Sequence, residues 1–190
     1  VLWTRLAPDP LAGGGMPDDD LDVVWEVAAD DTFADLVAQG TTTAEARYGH
    51  SVHAVAELDA GWFSYRFRVG QYTSPAGRTQ VAPGSIDSAR FASASCQNYQ
   101  DGFYVAHRDI AAQEPDFVVW LGDYIYESGA AEVGGDVVRS HGAPEPTDLV
   151  SYRNRYALYK SDADLQAAHA IAPWYVIWDD HEVENNYAGT

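Results

Sequence analysis

Four places in the chain carry side chains that could do chemistry together: Cys96, Asp123 with Tyr126 three residues on, Asp180-His181, and Asn185-Asn186. A thiolate, carboxylates and an imidazole suit a transition metal such as Fe or Zn. Carboxylates with amide oxygens suit Ca or Mg. The Tyr126 hydroxyl could add a phenolate. Each residue also has an ordinary reading. Cys96 would serve as a small core residue, Asp123 as a turn or cap residue, and His181 as a satisfied hydrogen-bonding side chain. Position favours a site, because these residues follow the ends of three strand-like runs.

Phe117-Val118-Val119-Trp120-Leu121 is unbroken and apolar, and it runs into Gly122 and Asp123. Such a run predicts a strand buried on both faces, and Glu114-Pro115-Asp116 breaks whatever precedes it. Trp174 to Trp178 is a second apolar strand, entering Asp179-Asp180-His181-Glu182. Ala89 to Cys96 reads as a strand of small residues. Neighbouring parallel strands lie about 4.8 Å apart, so their carboxyl ends can share one site. Between them, Gly102 to Gln113 reads as a helix with Phe103, Ala106, Ile110 and Ala111 on one face. Residues 90–123 thus form a β–loop–α–β unit. Gly129 to Pro146 is a Gly/Pro-rich loop, long enough to be functional. Thr147 is the expected cap of a helix through Tyr152, Tyr156 and Tyr159. Another helix starts near Ser161-Asp162-Ala163-Asp164 and ends before Pro173.

The first part of the chain has another grammar. Residues 1–6, 21–28, 51–58, 62–69 and 78–81 read as strands, separated by Gly/Pro/Asp turns. Phe33 to Gln39 reads as a strand or a short helical turn, stopped by Gly40. Phe63, Tyr65, Phe67 and Val69 alternate strictly with Ser64, Arg66 and Arg68. The pattern predicts a small β-sandwich. Asp18-Asp19-Asp20 reads as a solvated loop. His50 and His53 would point to opposite faces of a strand, so they read as surface residues. The boundary is expected at Ala82-Pro83-Gly84-Ser85, giving domains 1–83 and 84–190.

Composition limits the functions available. The 190 residues are 46% hydrophobic, enough for a real core. A net charge of −18 repels phosphate backbones and anionic bilayers, so no general nucleic-acid binding is expected. No run approaches the roughly 20 apolar residues of a transmembrane segment. Neither a leader-like segment nor an initiator Met opens the chain, which reads as a trimmed start. Cys96 is the only cysteine, so no internal disulfide forms.

Ser95-Cys96-Gln97-Asn98-Tyr99, Leu121-Gly122-Asp123-Tyr124-Ile125-Tyr126-Glu127 and Trp178 through Asn186 resemble the PhoD-type alkaline phosphatases. Tyr152 to Tyr159 and Asp164 to Ala170 are similar to that family's intervening helices. Residues 1–83 are similar to its N-terminal immunoglobulin-like domain. The resemblance implies a fold class. An all-β Ig/fibronectin-like sandwich would precede the first part of an α/β metallophosphatase domain, with two sheets flanked by helices. It implies a secreted, periplasmic or cell-surface enzyme that hydrolyses phosphate monoesters and diesters with Fe3+ and Ca2+. Mg2+, Mn2+ or Zn2+ are the alternatives, and a monomer is expected. By motif, Cys96 and Tyr126 would bind Fe, and Asp123 would bridge Fe and Ca. Asp180, Asn185 and Asn186 compete as Ca ligands. His181 would act on the phosphoryl group as a hydrogen-bond donor or general acid. The family also draws ligands from aspartates and histidines further along the chain. Residues 1–190 therefore read as an N-terminal fragment, expected to be inactive alone. A non-catalytic Ig-like binding module with a degenerate α/β partner is the competing class, and a Mg/Mn hydrolase with Cys96 merely packed is the competing chemistry.

Overall fold

The computed structural model describes residues 1–129 and 137–188. The chain divides into two compact units, one mainly of residues up to Ala89 and one mainly of residues from Arg90 onward.

The first unit is antiparallel β-structure. Its larger sheet runs β3 (Leu36–Ala44), β2 (Leu21–Ala28), β5 (Gly61–Val69) and β6 (Tyr72–Thr73), with β7 (Gly77–Val81) also on β5. A second sheet pairs β1 (Leu2–Arg5) with β4 (Ser51–Ala54). Val23, Val27, Ala44 and Phe67 of the first sheet share a core with Leu2, Val52 and Ala54 of the second. Phe63, Tyr65 and Val69 pack against it, which uses the alternation read from β5. Gly40 does not stop a strand, for β3 runs through it opposite Trp25. A Cβ at Gly40 would collide with the Trp25 ring, so the indole covers the missing side chain. His50 is buried rather than on the surface, its Nε2 2.9 Å from the Asp19 carbonyl; His53 is exposed.

The second unit is α/β. β8 (Phe91–Ala94), β9 (Phe117–Leu121) and β10 (Trp174–Ile177) form a parallel sheet with β9 in the middle. α1 (Val105–Gln113) connects β8 to β9; α2 (Leu149–Lys160) and α3 (Ala163–Ile171) connect β9 to β10. Trp120 packs with Tyr104, Tyr124, Ile125, Tyr159 and Leu165 in an aromatic core. The expected face of α1 is corrected, because Phe103 and Ala106 are exposed and His107 is buried. His107 stacks on Trp120 at 5.5 Å, and its Nε2 lies 2.7 Å from Gln97 Oε1. A polar residue type thus hides the true helix phase. Asp148, not Thr147, caps α2, through a reciprocal box with Ser151. β9 and β10 are not buried on both faces. Val118 and Trp120 face the core, while Phe91, Leu121, Tyr175 and Ile177 are exposed. Residues 130–136 of the expected Gly129–Pro146 loop lie outside the described residues. Among those described, no helix is long and apolar enough to cross a membrane.

Candidate metal centre

Parallel pairing continues past the strands. Cys96 N–H donates to the Gly122 carbonyl at 3.3 Å, and Gln97 N–H to the Asp123 carbonyl at 3.2 Å. Gly122 has φ 90°, and a Cβ there would collide with Asp179 Cβ and come within 3.0 Å of Asp179 N. Only glycine lets the ends of β9 and β10 meet so closely. Among the described residues, six non-glycine residues have positive φ, and three of them are Cys96 (59°), Asp123 (52°) and Asn186 (59°). Such conformations cost about 1–3 kcal/mol each and persist where neighbours impose them.

For Asp123 that neighbour is Glu182. Its Oε2 accepts from Asp123 N–H at 3.1 Å and Asp179 N–H at 2.7 Å, and its Oε1 accepts from Tyr124 N–H. One carboxylate thereby fixes both strand ends. Asp179 caps the 3-10 turn Asp180–Glu182 reciprocally with Glu182.

Asp123, Asp180 and His181 come together, each with a ligand atom within 4.8 Å of the others. Asp123 is buried. Its Oδ2 accepts from the Tyr126 hydroxyl at 3.1 Å, whereas its Oδ1 is buried without a partner. A buried, unpaired carboxylate oxygen is costly, and a hard cation would satisfy it. The donor set therefore fits a metal ion. Tyr126 joins the edge of the group, and the Cys96 side chain is close enough to the same phenol to affect its charge. Burial, then Asp123 and Cys96, push the Tyr126 phenol upward. A bound cation would reverse that direction. Cys96 is exposed, not packed. Asn186 contributes its N–H, which donates to Asp180 Oδ2 and holds that carboxyl below its usual range.

His181 joins the same group and stacks obliquely on Tyr126, ring centres 4.2 Å apart. Its Nδ1 lies 2.8 Å from Glu127 Oε2. Burial alone would lower its pKa, but the Glu127 bond and the charges of Glu127, Asp123 and Asp180 outweigh it and raise the pKa. Glu127 is itself buried, and its Oε1 accepts from Asn185 N–H at 2.7 Å. Glu127 and Glu182 were not singled out from sequence. Asp179-x-x-Glu182 carries the capping-box spacing that could have flagged Glu182. Glu127 has no local signal, its partners being 54 and 58 residues away.

The fold and this group define a class: an α/β protein with a carboxylate–imidazole set at the carboxyl ends of parallel strands. The chain belongs to the PhoD-like phosphatase family. That family's model matches residues 91–190, and the model of the PhoD-like phosphatase N-terminal domain matches residues 1–83. The chain is similar to alkaline phosphatase D of Bacillus subtilis (strain 168), 51% identical over 195 residues, 99% of this chain and 33% of that protein. It is also similar to a solved structure of PhoD, at 50% identity and TM-score 0.93, over 98% of this chain and 37% of that one. The chain thus spans about a third of the length of the curated relative it matches.

Proposed function

We propose that these residues form the first part of a metal-dependent phosphatase that hydrolyses phosphate monoesters and diesters. The observation that carries this reading is the buried Asp123 carboxylate, whose unpartnered Oδ1 lies in the same group as Asp180 and His181. Family membership supports the phosphatase chemistry. The finer reading of the fold is an Ig/fibronectin-like sandwich followed by part of a two-sheet metallophosphatase domain. The finer reading of the setting is a secreted, periplasmic or cell-surface enzyme.

Cys96 and Tyr126 would hold Fe3+, Asp180 or Asn186 would hold Ca2+, and Asp123 would serve both. Such ions supply Lewis-acid polarisation of the phosphoryl oxygens and screen developing charge. The chain's own part is orientation. Glu127 occupies His181 Nδ1, which leaves Nε2 as the nitrogen that can face an ester and hold a proton for the departing oxygen. Glu182 keeps Asp123 in its left-handed conformation. The acidic surface is no obstacle, because multivalent cations reverse the local sign.

The test is Asp123→Asn in the full-length protein, with elemental analysis and both ester assays. The expected outcome is loss of most bound metal and a fall in turnover of about 10²-fold or more. Unchanged metal content would refute the reading. The element found, whether Fe with Ca or instead Mg, Mn or Zn, decides the cofactor.

A further inference from the structure

The candidate ligands stand on separate segments after β8, β9 and β10, and something must hold those segments in mutual register. One face of α2 does this. Tyr152, Arg155 and Tyr159 lie at i, i+3 and i+7, so they share a face. The Tyr152 hydroxyl donates to the Val183 carbonyl, just after the Asp180–Glu182 turn. Arg155, 3% exposed, donates to the carbonyls of Tyr126 and Ser128 and, through Nη2, to that of Pro144. Tyr159 is fully buried.

The Tyr159 hydroxyl has three neighbours. Tyr99 N–H donates to it at 3.2 Å, and Tyr126 N–H at 3.0 Å. His141 Nε2 lies 3.0 Å away. Two amides occupy the oxygen's lone pairs, so its own hydrogen must go to His141 Nε2. That nitrogen is then bare, and His141 carries its proton on Nδ1, 2.8 Å from the Ser128 carbonyl that accepts it. Burial lowers the His141 pKa to about 4, in keeping with a neutral ring. A single oxygen thus ties the segment after β8, the segment after β9 and residue 141. Tyr126 is held at both ends, its N–H on Tyr159 and its phenol on Asp123.

We propose that α2 is the positioning element of the metal centre, and that Tyr159 and Tyr152 are its positioning residues, acting through Tyr126 and through the Asp180–Asn186 segment. Its metal-binding arm rests on the function proposed above; its structural arm does not.

The experiment compares Tyr159→Phe with Tyr104→Phe in the full-length protein. Tyr104 is a control from the same core; its hydroxyl makes one bond, to the Gln97 carbonyl at 2.8 Å. The first readout is segment-resolved amide hydrogen exchange without metal. Tyr159→Phe leaves the ring in place but orphans two part-buried N–H groups. Exchange over residues 122–129 is expected to quicken about tenfold, and not to do so in Tyr104→Phe. The second readout is titration with Mn2+ alone, whose affinity is expected to fall roughly 10–100-fold in Tyr159→Phe only. Unchanged exchange over 122–129, an equal effect of Tyr104→Phe, or unchanged Mn2+ affinity despite faster exchange would each overturn the proposal. If Tyr159→Phe does not fold, the half-buried Tyr152→Phe replaces it, read over residues 180–186 by the same criteria. If Asp123→Asn leaves Mn2+ binding intact, the metal reading fails, and the exchange measurement alone decides whether α2 holds the segments.

Discussion

A single methyl group at residue 122 should disable the site. Gly122 sits at φ 90° with Asp179 against it, so Ala would be strained and would push the ends of β9 and β10 apart. We expect Gly122→Ala to lower stability by about 2 kcal/mol or more and to weaken cation binding with it. Thermal melting and metal titration check this; a variant that melts and binds as the parent does would show that the close approach is dispensable. At this scale the sequence was partly legible. Gly122-Asp123 announces itself because an apolar run ends there, and Asp180-His181 for the same reason. The left-handed conformations of Cys96 and Asp123 are not legible, since their backbone partners, Gly122 and Glu182, are distant in sequence. The role of Glu127 was likewise hidden, because a buried carboxylate looks like any surface glutamate until its histidine is found.

Between elements, the β2–β5 pair carries a polar link on the face away from its core. Glu26, 4% exposed, accepts from Arg66 Nε at 2.6 Å and Arg68 Nη1 at 3.0 Å. Burial alone would raise the Glu26 pKa, but the two arginines outweigh it and lower it from 4.5. A carboxyl depressed in the folded state stabilises above its unfolded pKa, and that contribution is lost as pH falls through the folded value. Glu26→Gln should therefore destabilise the first unit by about 1 kcal/mol at pH 7. The gap to the parent should close as pH drops below about 4. Denaturant melts at pH 7 and pH 3 read this, and a gap independent of pH would assign the effect to packing. β5 could be read from its alternation and β9 from its unbroken apolar run. The course of β3 could not, because what tolerates Gly40 is the ring of Trp25, a neighbour only after folding. The phase of α1 was missed since its most buried side chain, His107, is polar by type.

For the whole molecule, the passage from antiparallel strands to the α/β unit lies in an exposed stretch. Ala82 through Arg90 are all exposed and form no regular element. Brief digestion with a broad-specificity protease should cut first between Val81 and Ala89, leaving two compact pieces. First cuts elsewhere, with neither piece surviving, would deny the boundary. The exposed apolar face of β8, β9 and β10 belongs to this scale too. Phe91 stacks on Phe117 at 5.2 Å, and Phe117 meets Tyr175 at 5.6 Å, so aromatic rings continue across the uncovered side of the sheet. Residues 1–190 on their own should self-associate through it, and sedimentation velocity that shows a monomer at every concentration would deny this.

If a cation fills the site proposed above, the unsatisfied Oδ1 of Asp123 links it thermodynamically to the folded state. An ion that binds the native site and not the unfolded chain adds stability as its concentration rises, about 2.7 kcal/mol at a hundred times its Kd. In a unit of this size that is a shift of several degrees or more in Tm. Stripping the full-length protein with a chelator should lower the melting transition of the second unit, leave the first unchanged, and restore the lost degrees when the ion is returned. Under that reading, the amount of folded protein would follow the supply of the ion. Scarcity would then lower both turnover and the amount of folded protein.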